Sequence, residues 1–151
     1  MNSKIEMLPS YKIAYMRKTG PYGSSNGELM EQLKSWVQSN NLFNEDTIIL
    51  GIAQDNPETT NAESCCYDAC LVVADNYKIV HPEIIEGNIV GGKYMVFKLG
   101  HTAQAVQQAW ANIFPELIKQ GYTIDDTRPI IERYQTQVIK DHQCEICVPI
   151  Y

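Results

Sequence analysis

The chain has 151 residues, 44% of them hydrophobic and 20% charged, with a formal net charge of -6. That length fits one domain whose core buries roughly two-thirds of the unfolded chain's surface. No apolar run approaches the ~20 residues of a membrane span, and no Lys/Arg cluster is present to neutralise phosphates, which argues against a membrane protein and against direct nucleic-acid binding.

The segment Met1 to Glu6 lacks the long apolar stretch and small-residue cleavage site of a signal peptide, which points to the cytoplasm. Residues 4 to 18 open with Ile5 and Met7, pass Pro9 and continue from Tyr11 to Arg17 in β-branched and aromatic text that favours a strand. Gly20-Pro21-Tyr22-Gly23 ends it. Ser25 and Glu28 have capping-box spacing, and Leu29, Leu33, Trp36 and Val37 recur at helical spacing to about Ser39. Thr47 to Gln54 reads as a strand broken by Gly51, and Asp55-Asn56-Pro57 turns the chain. A polar loop leads to a strand from Cys65 to Ala74 that carries an acid, Asp68.

Residues 75 to 82 are polar and irregular, and they separate a first module of about 4–75 from a second of about 83–151. The second opens with an edge-like strand at Ile84-Ile85-Glu86, a tight turn at Gly91-Gly92 and a strand over Lys93 to Leu99. Thr102 can cap a helix with Val106, Ala109, Trp110, Ile113 and Phe114 on its apolar face. Pro115 is expected to kink or restart it, and Gly121 to end it as a left-handed cap. Ile130 to Gln135 and Cys144 to Ile150 then close the chain as a hairpin. The last strand again places an acid, Glu145, inside an apolar run, where burial without a partner would cost several kcal/mol.

The order strand, helix, strand, strand occurs twice. Lys12 to Arg17 lies over Lys93 to Lys98, Trp36 takes the part of Trp110, and Asp68 to Val73 lies over Glu145 to Ile150. The sequence therefore predicts an α+β fold, a tandem duplication about a pseudo-two-fold axis with antiparallel sheets and a ligand cleft between the modules. Five cysteines, Cys65, Cys66, Cys70, Cys144 and Cys147, sit in strand-like text and read as reduced core thiols. Cys144 and Cys147 have C-x-x-C spacing, but a strand sends their sulfurs to opposite faces, so no metal or cofactor is expected.

Several short stretches, in order, carry a resemblance. They are Ala14-Tyr15-Met16-Arg17 leading to Gly20-Pro21-Tyr22, Gly51 with Asp55-Asn56-Pro57, and Tyr67-Asp68-Ala69-Cys70. Gly91-Gly92-Lys93-Tyr94 with Val96-Phe97, Trp110, Gly121-Tyr122, Glu132-Arg133-Tyr134 and the terminal Glu145 to Ile150 complete the series. The chain resembles the GyrI-like small-molecule-binding family over nearly its whole length. That family includes effector-binding domains of multidrug-responsive bacterial transcription activators and stand-alone gyrase-inhibitory proteins. One departure is Gly100-His101-Thr102, where relatives often repeat the Gly-Pro-Tyr turn.

The resemblance implies an aromatic-lined pocket between the modules with a glutamate that meets lipophilic, often drug-like cations. Glu145 and Glu132 are the two candidates. A hairpin register with Tyr134 opposite Glu145 would place Glu132 opposite Cys147, all on one face, with the two acids as neighbours. Phe97, Tyr67, Tyr134, Trp36 and Trp110 could form the aromatic wall, although a Trp on the apolar face of a helix is also an ordinary core residue.

Binding without chemistry is the favoured function. No helix-turn-helix precedes residue 1, so a transcriptional role would need a partner regulator chain. A protein-interaction role such as gyrase inhibition is the first alternative, resting on the acidic surface. Hydrolysis of strained-ring compounds by the pocket acid, as the resemblance also implies, is the second. The residues themselves show no Gly-x-Ser-x-Gly elbow or His-Glu-x-x-His pair, and His81, His101 and His142 fall in turn-like text.

Overall fold

The computed structural model describes residues 2–151; Met1, part of the N-terminal segment read above, lies outside the described residues. The N-terminal strand text divides at Pro9 into β1 (Asn2–Leu8) and β2 (Tyr11–Thr19). Helix α1 (Ser24–Ser39) follows, burying Leu29, Met30, Leu33, Trp36 and Val37 along one stripe. The expected capping box does not form. Gly23 occupies the cap with no side-chain bond, and Ser25 lies inside the helix, where its Oγ accepts a 2.8 Å hydrogen bond from Lys18 Nζ. Strand β3 (Ile48–Ala53), a short 3-10 turn (Ala62–Ser64) and β4 (Cys66–Val73) complete the first half.

The second half runs β5 (Ile85–Ile89), β6 (Gly92–Gly100) and α2 (Ala103–Lys119). The Thr102 hydroxyl accepts from Ala105 N–H as an N-cap. The helix does not restart at Pro115: α2 continues through it as one element. Pro115 deprives the Ala111 carbonyl of its donor, but both residues are exposed, so water can reach that carbonyl, while Ile113 and Leu117 on the buried face pack into the core. Gly121, at φ +82°, ends the helix, with Tyr122 N–H donating to the Leu117 carbonyl at 3.0 Å. Then come β7 (Ile131–Gln135), the one-turn helix α3 (Thr136–Lys140) and β8 (Gln143–Pro149). Among the described residues no helix is long and apolar enough to cross a membrane.

All strand pairings are antiparallel and form one eight-stranded sheet in the order β1-β6-β8-β7-β3-β4-β2-β5. The halves β2-α1-β3-β4 and β6-α2-β7-β8 therefore join edge to edge through β3 and β7. Their leading strands are exchanged: β1 pairs with β6 of the second half, and β5 pairs with β2 of the first. The registers repeat. Arg17 lies opposite Asp68 as Lys98 lies opposite Glu145, and Ile52 lies opposite Asp68 as Arg133 lies opposite Glu145. The equivalences make Gly51 the counterpart of Glu132, and β3 pairs those two residues with each other. The local two-fold axis passes between them.

Both long helices pack on one face, α1 over Tyr67, Ala69 and Leu71, α2 over Met95, Phe97, Ile146 and Val148. The other face buries a helix-free core around Leu50, Ile52, Cys70, Tyr94, Val96 and Cys147. All five cysteines are free thiols, and burial raises the Cys147 thiol to about 12.

Candidate functional site

The acids of the sheet divide by face. Asp68 and Glu145, each 2% exposed, lie on the helix-free side. Arg17 donates to Asp68 through Nε (2.7 Å) and Nη2 (2.9 Å), and Gln54 Nε2 adds a bond at 2.9 Å. The second half satisfies its acid in the same way but takes the guanidinium from β7, at the counterpart of Ile52, and not from the counterpart of Arg17: Arg133 donates to Glu145 through Nε and Nη2, both at 3.0 Å, and Gln135 Nε2 donates at 2.7 Å. Burial alone would raise the Glu145 pKa, but the bonds from Arg133 and Gln135 and the guanidinium charge outweigh it and hold the carboxyl below its ordinary value. These two acids are satisfied ion pairs.

The register of β7 on β8 corrects the expectation that placed Glu132 beside Glu145. Arg133 stands opposite Glu145, Glu132 opposite Ile146 and Ile131 opposite Cys147. A shift of one residue exchanges the faces of a strand, so Glu132 and Tyr134 emerge under the helices while Glu145 and Cys147 face away.

Glu132 meets different company there. Tyr134 Oη donates to its Oε2 at 2.9 Å, and Tyr67 Oη reaches across β3 to donate to its Oε1 at 3.2 Å. Tyr67 can cross because position 51 has no side chain: a β-carbon there would overlap the Tyr67 hydroxyl. Glu132 enters none of the ion pairs found among the described residues. Burial raises its pKa above the ordinary value, and the two tyrosine bonds only partly offset that. Burial, followed by the carboxylate's own charge, raises both tyrosines as well, so they remain protonated donors.

Glu132 opens into a cavity of about 710 Å³ at the Ala53 end of the central strands. Trp110 and Phe114 of α2, Ile130, Pro129 and the 53–58 loop line it. A second hollow of about 690 Å³ lies on the other side of Trp110 and Tyr134, between the starts of α1 and α2, with His101 and Val106 on its wall. The loop wall is held by the Gly-Pro-Tyr turn. Tyr22 Oη donates to the Cys66 carbonyl (2.9 Å) and accepts from Asp55 N–H (3.0 Å), while Asp55 Oδ2 accepts from Cys66 N–H (2.7 Å). At the corner where the sequence departs from Gly-Pro-Tyr, the His101 ring packs 5.5 Å from Tyr134, and burial lowers its pKa.

The family model of the GyrI-like small molecule binding domain matches residues 1–151. The chain belongs to that family. A Bacillus subtilis (strain 168) SPbeta prophage-derived protein, YosT, named as a candidate transcriptional regulator, is 46% identical over 151 residues, 99% of each chain. A DNA gyrase inhibitor of Citrobacter koseri is 26% identical over 99% of this chain and 98% of its own. Among solved structures, the EcmrR C-terminal domain superposes with a TM-score of 0.73 at 14% identity, over 99% of this chain and 97% of that one. SAV2435 bound to tetraphenylphosphonium gives a TM-score of 0.62 at 18% identity, over 100% and 94%.

In this GyrI-like domain four of the residues singled out from sequence come together: Glu132, Tyr134, Tyr67 and Trp110. Four do not. Trp36, on the inner stripe of α1, is buried between that helix and the sheet, Phe97 of β6 is buried under α2, and Glu145 and Cys147 lie on the opposite face. Phe114, Gly51 and His101 are the site residues that sequence reasoning did not assign. The Phe114 signal was its position one turn after Trp110, and the Gly51 signal was a glycine inside a strand. Among the described residues no group of three His, Cys, Asp or Glu is placed to hold a metal ion.

Proposed function

We propose that this domain binds a lipophilic organic cation in the groove over Glu132. The carboxylate carries the reading: a desolvated acid held by two tyrosine hydroxyls, paired with no cationic side chain, beneath half-buried Trp110 and Phe114. Ionising such a group without a counter-charge is costly, and a cationic ligand supplies that charge. Facing aromatic rings add roughly 0.5 to 2 kcal/mol each through cation-π attraction. Asp55, Glu58 and Asp126 on the cavity wall outnumber its one cation, Arg128, which is itself paired with Asp125, so the wall is negative on balance. The tetraphenylphosphonium complex of SAV2435 supports the ligand class by likeness of fold. A regulatory output would pass through a protein partner, and the names of the relatives suggest a transcription regulator or DNA gyrase.

The test is a fluorescence titration of the wild-type chain with tetraphenylphosphonium and with neutral triphenylphosphine oxide, repeated on Glu132→Gln and Glu145→Gln. The expected result is micromolar affinity for the cation, about -8 kcal/mol, lost by at least about tenfold in Glu132→Gln and retained in Glu145→Gln. Equal affinity for cation and neutral compound, or no loss in Glu132→Gln, would refute the assignment.

A further inference from the structure

Gly51 sits in the interior of a regular strand, where glycine weakens the sheet relative to alanine. Its backbone does not require glycine, because the positive-φ glycines are Gly20, Gly23, Gly92 and Gly121. What requires it is space. A β-carbon at position 51 would overlap the Tyr67 hydroxyl and stand 3.2 Å from Tyr67 Cζ and 3.1 Å from Glu132 Oε1. The first is impossible without displacement, and the other two are tighter than ordinary contact.

Gly51 is also paired with Glu132 across the central strands, at the local two-fold axis, with both positions facing the helices. Tyr67, on β4, pairs with Ala53, so its ring must lean along β3 past position 51 to reach Glu132 on β7. We infer that Gly51 is a positioning residue of the cation site: the side-chain volume it leaves empty lets the Tyr67 hydroxyl cross β3 and fix Glu132 Oε1 at the axis. Its part in ligand recognition rests on the function proposed above. Its part in placing Tyr67 and Glu132 does not.

The experiment is a carbon-13 NMR titration of the Glu132 carboxyl in the ligand-free chain, in wild type, Gly51→Ala, Tyr67→Phe and the double variant. Each single variant removes a bond to the charged carboxylate, so each raises the Glu132 midpoint by about one pH unit. The double variant keeps the midpoint of Tyr67→Phe, because the overlapping hydroxyl is already gone and the remaining contacts, with the ring Cζ and Glu132 Oε1 at 3.2 and 3.1 Å, ask only a slight adjustment of two side-chain ends. Tetraphenylphosphonium affinity follows the same pattern, falling about tenfold in Gly51→Ala and no further in the double variant than in Tyr67→Phe. An unchanged midpoint in Gly51→Ala, or shifts that add in the double variant, would overturn the inference. Should Gly51→Ala fail to fold, a folded double variant with the Tyr67→Phe midpoint supports the inference, and failure of both to fold overturns it. If wild type does not bind tetraphenylphosphonium, the ligand assignment falls while the carboxyl titration still decides the role of Gly51.

Discussion

The affinity of this domain for a lipophilic cation should rise with pH and then level off. Burial raises the Glu132 pKa above its ordinary value, and a cation beside it favours the ionised form. With about 5 Å between the charges and an effective dielectric of about 20, the attraction is about 3 kcal/mol, which would lower the carboxyl pKa by about two units on binding. Between the bound and free midpoints the cation must expel a proton, so affinity grows up to about tenfold per pH unit. Above the free midpoint the carboxylate is already ionised and affinity is flat. Calorimetry in two buffers of different ionisation enthalpy counts the proton released, and a fluorescence titration from pH 4.5 to 8 gives the slope. His101, whose ring lies 5.5 Å from Tyr134, also titrates, and its protonation opposes a cation in the same pH direction. Glu132→Gln retains His101, so any slope left in that variant belongs to the imidazole. Equal slopes in the two proteins, or cation binding across the whole range with no proton released by wild type, would refute the reasoning.

The same carboxyl makes a prediction for stability. Because its pKa is higher folded than unfolded, its ionisation penalises the fold progressively as pH rises from the ordinary value through the raised one, and fully above that. Glu132→Gln should therefore raise Tm at pH 7 by a few degrees, at roughly 2–4 °C per kcal/mol for a domain of this size, with the gain vanishing toward pH 4. On the opposite face, Arg133→Met leaves Glu145 buried without its partner and should cost about 3–5 kcal/mol in chemical denaturation. The depressed Glu145 pKa supplies stability that is present above the ordinary carboxylate value and lost as pH falls through the lowered one, so Glu145→Gln flattens the acid limb of the wild-type curve.

Much of the architecture was legible because amphipathic periodicity and strand propensity are local. The stripe of α1, the Thr102 cap, the Gly121 terminator and the repeat of Asp68 by Glu145 all follow from residues close in sequence. Strand partners are different: nothing in Asn2–Leu8 says that it leaves its own half to pair with β6. The register of β7 on β8 was lost to α3, whose five residues stand where a plain hairpin was expected. With a side-chain period of two, that error turned Glu145 toward the site and obscured its guanidinium partner. Trp36 and Trp110 illustrate a further limit. Both lie on apolar helical faces, but Trp36 falls on the central stripe with Leu29 and Leu33, whereas Trp110 lies one step off the Ala109, Ile113 and Leu117 line and overlooks the groove.

The axis between Gly51 and Glu132 imposes a constraint of symmetry. Were the two halves separate, identical chains, both positions at the axis would carry the same residue. Two glutamates there would confront each other at neighbouring strand positions and repel, and the tyrosine would lose its passage across β3. Two glycines would leave the groove without an acid. A single carboxylate at the centre, with room beside it, requires the two halves to be encoded independently. Covalent fusion supplies that independence, allowing a nearly two-fold framework to present one charge at its middle.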